Sequence, residues 1–173
     1  MDDQGLREQL EKHHRESFGW ALSCCGRNRD RAEDVLQRTY LKVLDGKARF
    51  DDRGVFKTWL FAVIRTTARD ERRRDALRQI GLLRYEEDVR ASPAPNGDQA
   101  SEALDRDRLK DVFVTALGRL PPRQREAMQL VFYHDMSISE AANVMGISVG
   151  SARTHYERGK QSLRSFLEVK GMR

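Results

Sequence analysis

Eight residues near the middle of the chain limit what it can fold into: Ala91-Ser92-Pro93-Ala94-Pro95-Asn96-Gly97-Asp98. Two prolines without an N–H donor, a glycine and small polar side chains carry neither a helix nor a core through this stretch. A chain of 173 residues interrupted there reads as two units rather than one continuous core. The flanks are acidic. From Glu86 to Asp111 eight carboxylates stand against four bases, a local net of about −4. The pattern predicts a first domain over 1–84, a flexible acidic linker over 85–100 and a second domain over 101–173.

Both units read as helical. No alternating run lies between Asn-Gly or Asp-Gly turns, whereas apolar residues recur at helical spacing. The expected fold class is all-α: two small helical domains, each with a thin core. In the first, Leu6, Leu10, Phe18, Ala21 and Leu22 supply the apolar positions of an opening segment. After a turn at Gly26-Arg27-Asn28-Arg29-Asp30, Asp30 is the expected cap of a helix whose face is Val35, Leu36, Tyr40, Val43 and Leu44. A loop from Phe50 to Gly54 then leads to a long helix, Val55 to Arg78. In the second unit a helix from Ser101 to Leu117 precedes Pro121-Pro122, which suit the first turn of a helix ending near His134.

Ser137-Ile138-Ser139-Glu140 has the spacing of a capping box, a serine and then a glutamate three residues on. It opens a short helix to Met145. Gly146 fits the left-handed residue of a tight turn. Ser148 then caps a second helix running to Leu167, and the whole is a helix-turn-helix. Ile147, Val149, Ala152 and Tyr156 are expected to fill the space between the two helices. In such a motif the second helix enters the major groove with its first turns on the base edges. Ser148, Ser151, Arg153, Thr154, Glu157 and Arg158 are therefore candidate DNA contacts. Arg153 suits a guanine edge or a phosphate, Glu157 suits cytosine, and the serines at the helix start suit phosphate. From Ser148 to Arg173 six bases stand against two acids, a local net of about +4. The alternative is an ordinary bundle with a solvated basic face.

The whole-chain balance is milder, 32 lysines and arginines against 27 acids for a net charge of +5. That total favours a polyanionic partner only weakly. Its placement says more. Arg65, Arg69, Arg72 and Arg73 fall at i, i+4, i+7 and i+8 of the long helix, opposite Phe56, Leu60, Val63, Ile64 and Thr67. A basic stripe suits tracking along nucleic acid, or it is a solvated arginine face. Trp59 either stacks on an unpaired base or packs in the core, and its position on the apolar side points to the core.

The other readings are exclusions. No run of about 18 apolar residues spans a membrane. Met1-Asp2-Asp3-Gln4 lacks the features of a secretory signal. Cys24 and Cys25 are adjacent, which suits neither a disulfide framework nor tetrahedral zinc, even with His13 and His14 nearby. A reduced, cytoplasmic protein without metal or cofactor is expected. No phosphate-binding glycine loop, Ser/His/Asp set or carboxylate pair stands out, so the isolated chain is not expected to be an enzyme.

Three stretches in order resemble an extracytoplasmic-function (ECF, group IV) sigma factor of bacterial RNA polymerase. Glu33-Asp34-Val35-Leu36-Gln37-Arg38-Thr39-Tyr40 resembles the Asp-x-x-Gln-x-x-aromatic pattern of sigma region 2. Phe56-Lys57-Thr58-Trp59-Leu60-Phe61, with Arg65, Asp70 and Arg72-Arg73-Arg74, resembles the helix ending that region. Leu120-Pro121-Pro122-Arg123-Gln124-Arg125-Glu126 with the helix-turn-helix resembles sigma region 4.

The resemblance implies roles. Asp34, Gln37 and Tyr40 would meet the β′ clamp helices of core polymerase. The loop carrying Phe50 and Asp51 would hold a flipped base of the −10 element, and Arg65, Thr66, Arg69, Arg72 and Arg73 would line the −10 duplex edge and opened strand. The recognition helix would read the −35 element and its domain would touch the β flap. An anti-sigma factor would hold the protein inactive. Thr66 stands where many relatives carry Asn, and His155 where many carry Arg, which alters the expected −10 and −35 contacts respectively. Two other readings compete: a stand-alone dimeric helix-turn-helix regulator, and a sigma-like decoy for an anti-sigma factor that never touches DNA.

Overall fold

The computed structural model describes residues 2–83 and 113–169. The chain divides into two compact units, Met1–Gly97 and Asp98–Arg173. The expected linker, its boundaries and the start of the 101–117 helix lie outside the described residues. Within them every regular element is helical.

The first unit is built from four helices: α1 Asp3–Lys12, α2 His14–Cys24, α3 Arg29–Leu44 and α4 Phe56–Leu83. Asp2 caps α1 by accepting from the Gly5 N–H at 2.9 Å. The α2–α3 turn uses two left-handed residues, Gly26 (φ 62°) and Arg27 (φ 66°). They reverse the chain early, so the cap of α3 is Asn28, accepting from the Arg31 N–H at 2.9 Å, and not Asp30. The apolar face of α3 is also narrower than expected. Val35, Leu36 and Val43 are buried, but Leu44 is 40% exposed. Eight residues past Leu36 the helix has turned ~80° off that face. Gly46, at φ 68°, closes the helix end.

The core between α2 and α4 is a stacked pair. Trp20 and Phe61 lie nearly parallel with centroids 5.7 Å apart. The buried indole N–H donates to the Phe61 carbonyl at 3.0 Å, leaving no polar penalty for burying the largest side chain. Leu60 and Ile64 complete that face of α4. At its edge Glu16 joins α2 to α4 through Lys57 at 2.6 Å, and His13 reaches the same carboxylate at 3.2 Å. Burial pushes the Glu16 carboxyl up, but Lys57 and His13 outweigh it and hold it below the ordinary range.

In the second unit, 113–119 is helical (α5), followed by α6 Pro122–Met128, a π-helical turn Gln129–Tyr133, α7 Ile138–Met145 and α8 Val149–Val169. Pro122 occupies the first turn of α6. Helical backbone runs to Tyr133 with His134 as its cap, but its last turn is π, which the spacing did not predict. Ala116, Leu117, Leu120, Met128 and Leu163 form the core, with Phe113, Tyr156 and Phe166 packed against it. Gly159 lets α8 lie on α6: a Cβ there would stand 2.7 Å from Met128 Cγ.

Candidate nucleic-acid and polymerase interfaces

The helix-turn-helix is assembled by its caps. Ser137 Oγ accepts from the Glu140 N–H at 3.2 Å, and the Glu140 carboxylate accepts from the Ser137 N–H at 2.9 Å, so the capping box is complete. Gly146 is left-handed at φ 64°. Ala141, Ala142 and Ala152 are almost fully buried, so α7 and α8 approach with little side-chain bulk between them. Arg125, which sequence reasoning passed over, locks this unit from the other side. Its guanidinium donates to the carbonyls of Gly118 and Leu120 at 3.1 and 3.0 Å, serving the acceptors left open after α5. Val149 corrects one expectation. It is 43% exposed rather than wedged between the helices, because it is the first residue of α8 and lies short of the α7 contact.

The α8 candidates all reach solvent. Ser148 Oγ accepts from the Ser151 N–H at 3.1 Å and donates to Ser151 Oγ at 2.9 Å, so the two hydroxyls are tied together at the helix start. Thr154 donates back to the Gly150 carbonyl at 3.0 Å. Glu157 pairs with Lys160 at 3.0 Å, and Lys160 lies over the Tyr156 ring. Arg153 and Arg158 are exposed and make no ion pair or hydrogen bond among the described residues. With Arg164, exposed further along α8 and likewise without a partner among the described residues, they are the bare cations of this surface. His155 is half-buried beside them.

On α4 the arginines are sorted differently. Arg65 is 8% exposed, inside the bundle, and does not project with the expected stripe. Arg72 is turned to α2 and donates to the Cys24 carbonyl at 2.7 Å. Arg74 pairs with Glu71 at 2.8 Å, and Arg78 with Asp75 at 3.9 Å. That leaves Arg69 and Arg73, exposed and without a protein partner among the described residues. Thr66, one turn earlier, is exposed on the same face, its hydroxyl donating to the Ala62 carbonyl at 2.9 Å. The bare surface is thus Thr66, Arg69 and Arg73. It continues toward Leu77 and Ile80, which are 68% and 57% exposed.

The Phe50 loop is anchored rather than free. The Phe50 ring packs against Phe56 and Trp59, each with centroids 5.4 Å away, so Trp59 belongs to an aromatic cluster under the loop. Asp51 to Val55 are exposed above it, with Asp52 and Gly54 left-handed at φ 57° and 86°. Asp51 itself accepts from the Arg53 N–H at 3.2 Å, stiffening the tip.

On α3, Asp34 and Gln37 are exposed and Tyr40 is half-buried. Together with His14 and Phe18 they line a groove of about 590 Å³. The Tyr40 hydroxyl lies 3.2 Å from His14 Nδ1. Burial pushes its phenol up, eased by the Ser17 hydroxyl, so it stays protonated as a donor. Leu41, 52% exposed on the next turn, adds apolar surface that the sequence pattern gave no reason to single out. Cys24 and Cys25 are half-buried free thiols, and burial raises Cys25 above its ordinary value despite Arg72 and Arg31 nearby. Among the described residues no cluster suits a metal ion, and no helix is long and apolar enough to cross a membrane.

Residues 10–78 match the sigma-70 region 2 family and residues 110–163 match sigma-70 region 4. The chain is 33% identical over 160 residues to the RNA polymerase sigma factor CarQ of Myxococcus xanthus, covering 92% of this chain and 88% of that one. The chain belongs to the ECF sigma factors. It is also similar to the ECF sigma factor EcfG of Rhodopseudomonas palustris, 30% identical over 155 residues, 88% of this chain and 79% of the other. The fold agrees with that of the sigma factor RpoE solved with the anti-sigma factor NepR from Bartonella quintana. There the TM-score is 0.71 at 24% identity, over 96% of this chain and 98% of that one. CnrH, solved with the cytosolic domain of CnrY, gives a TM-score of 0.65 at 22% identity over 97% and 90%. This sigma factor directs promoter-specific transcription initiation by RNA polymerase. The α3 and α4 candidates lie in its region 2 and the α8 candidates in its region 4.

Proposed function

We propose that the two bare basic surfaces of this sigma factor divide promoter recognition between them. Arg153, Thr154, Glu157 and Arg158 read −35 base edges in the major groove, with Ser148 and Ser151 presenting the start of α8 to the backbone. Thr66, Arg69 and Arg73 hold the −10 strand as it separates, and the Phe50–Gly54 loop takes a flipped base above its aromatic platform. Arg65 and Arg72 act on this surface from behind, by fixing α4. The exposed face of Asp34, Gln37 and Tyr40, with Leu41, docks on the β′ clamp helices, and region 4 touches the β flap. Core polymerase supplies the chemistry; the chain itself is not an enzyme and works in the cytoplasm. An anti-sigma factor is proposed as its inhibitor, on the ground that RpoE was solved with one.

The observation that carries this reading is the pair of guanidinium sets, Arg69 with Arg73 and Arg153 with Arg158. Among the described residues they are left without partners, while the other α4 arginines are engaged. A decoy has no use for bare arginines on both faces, and a stand-alone regulator has no use for region 2. Sequencing of transcripts made in vitro by core polymerase with this protein tests the reading. Start sites sharing one −10 and one −35 sequence support it. Initiation no more specific than by core alone contradicts it.

A further inference from the structure

The acids of α4 are not scattered among its arginines. Each meets a base of α3: Arg38 with Glu71 at 2.6 Å, Arg31 with Asp75 at 2.8 Å, and Lys42 with Asp70 at 3.8 Å. The three bases fall at i, i+7 and i+11 on α3 and meet α4 in reverse order, so the pairs are rungs between antiparallel helices. All three rungs are reinforced, the Asp75 rung by Arg78 at 3.9 Å. Glu71 also accepts from Arg74, and Lys42 donates to the buried Thr67 hydroxyl at 3.1 Å. The hydrophobic packing of α4 stops short of them. Among the described side chains its last buried residue is Ala68, and from Arg69 to Ile80 every side chain is exposed or half-exposed.

We infer that this ladder, together with Arg72 on the Cys24 carbonyl and not the core, sets the rotation of α4 beyond Ala68, and that Arg38 and Glu71 are positioning residues for promoter opening. Arg69 and Arg73 lie in the stretch where no described apolar side chain is buried. One residue of rotation, ~100°, would turn Asp70 and Arg74 to where they stand. The ladder therefore decides whether guanidiniums or a carboxylate face the DNA. It joins that face to α3, whose other side meets polymerase. The inference rests on the assignment of Arg69 and Arg73 to the −10 strand.

The test uses the full chain with core polymerase on a promoter recovered by transcript sequencing. Permanganate reactivity of unpaired thymines reads opening, alongside core affinity and thermal melting. The wild-type protein and an Arg69→Ala/Arg73→Ala variant come first. If the wild type opens nothing, or that variant opens normally, the assignment of α4 to DNA fails by itself. Arg38→Gln and Glu71→Gln are each expected to lower opening about 3- to 5-fold, the scale on which one surface ion pair biases an equilibrium. Core affinity and the folded fraction stay unchanged, and the exchange Arg38→Glu/Glu71→Arg recovers most of the loss. Simple charge counting makes the opposite claim for one variant: losing Glu71 would then strengthen opening while losing Arg38 weakened it. That split in sign, a failed recovery by the exchanged pair, or a loss no larger than the loss of folded protein overturns the ladder's role.

Discussion

Six arginines lie between Arg65 and Arg78 on α4, and two of them, Arg69 and Arg73, are bare; on α8 Arg153 and Arg158 stand clear of the protein from the start of the helix. The two helices reach similar surfaces by different routes. α8 is held by caps and close packing, through Ser137, Gly146, Ser148 and Gly159, so its outward face needs no charges of its own for support. α4 runs past its apolar core and is held there by ion pairs, so most of its charge is spent on the protein. Counting arginines therefore overstates DNA contact wherever acids are interleaved with them.

The largest effect expected from breaking this contrast is in region 4. Gly159→Val drives a branched side chain into Met128 and toward the Gln124 carbonyl. It should cost about 2–3 kcal/mol in urea unfolding, the scale of overpacking in a close contact. No single exposed charge removed from α4 should cost as much. Next comes Arg153→Ala, expected to weaken −35-dependent initiation about 30-fold, within the ~1–3 kcal/mol of a base-edge contact. Melting should not move. Arg69→Ala/Arg73→Ala should follow at about tenfold, as a loss shared by all promoter sequences. The slope of log affinity against log salt should flatten by about 1.4, near 0.7 for each single-strand phosphate. Arg65→Ala sharpens the same point: being buried, it should lower melting first. Equal melting for Arg65→Ala and the Arg69/Arg73 variant would erase the distinction between them.

The smallest effect is the pH dependence of Glu16. Its carboxyl is held below its ordinary value, so its contribution is present above the unfolded-state pKa and lost as pH falls through the folded one. The group is partly exposed, so solvent screening leaves about 0.5 kcal/mol. Glu16→Gln should be that much less stable than the wild type near neutrality and equal to it in acid. A constant gap across pH would assign the loss to packing instead.

Region 4 was the more legible half. Its signals are local: a capping box, a left-handed glycine and a proline at a helix start each act within four residues, and each appears where expected. What escaped was tertiary. Nothing near Gly159 announces that Met128 will lie against it, and nothing near Arg125 announces that carbonyls five and seven residues back will need its donors. In region 2 the helices and the basic character of α4 were legible, but the sorting of its arginines was not. Spacing placed Arg65 with Arg69, whereas the depth of the bundle decides which of them reaches water. Asn28 displaced Asp30 as a cap because Arg27 took a left-handed conformation that favours glycine, a choice visible only once the turn is built. Leu44 and Val149 stand at the ends of helices, where a face drawn by periodicity runs past the partner that would cover it.

The central claim is a division of labour between two bare arginine pairs, and one measurement addresses it directly. Run-off transcription with core polymerase would compare the wild type, Arg153→Ala and Arg69→Ala/Arg73→Ala on an intact promoter and on promoters altered at the −35 or −10 element alone. The account predicts that Arg153→Ala loses activity on the intact promoter but little more when the −35 sequence is changed. The Arg69/Arg73 variant should keep full sensitivity to −35 changes while losing opening. Both variants responding alike to both alterations would contradict it.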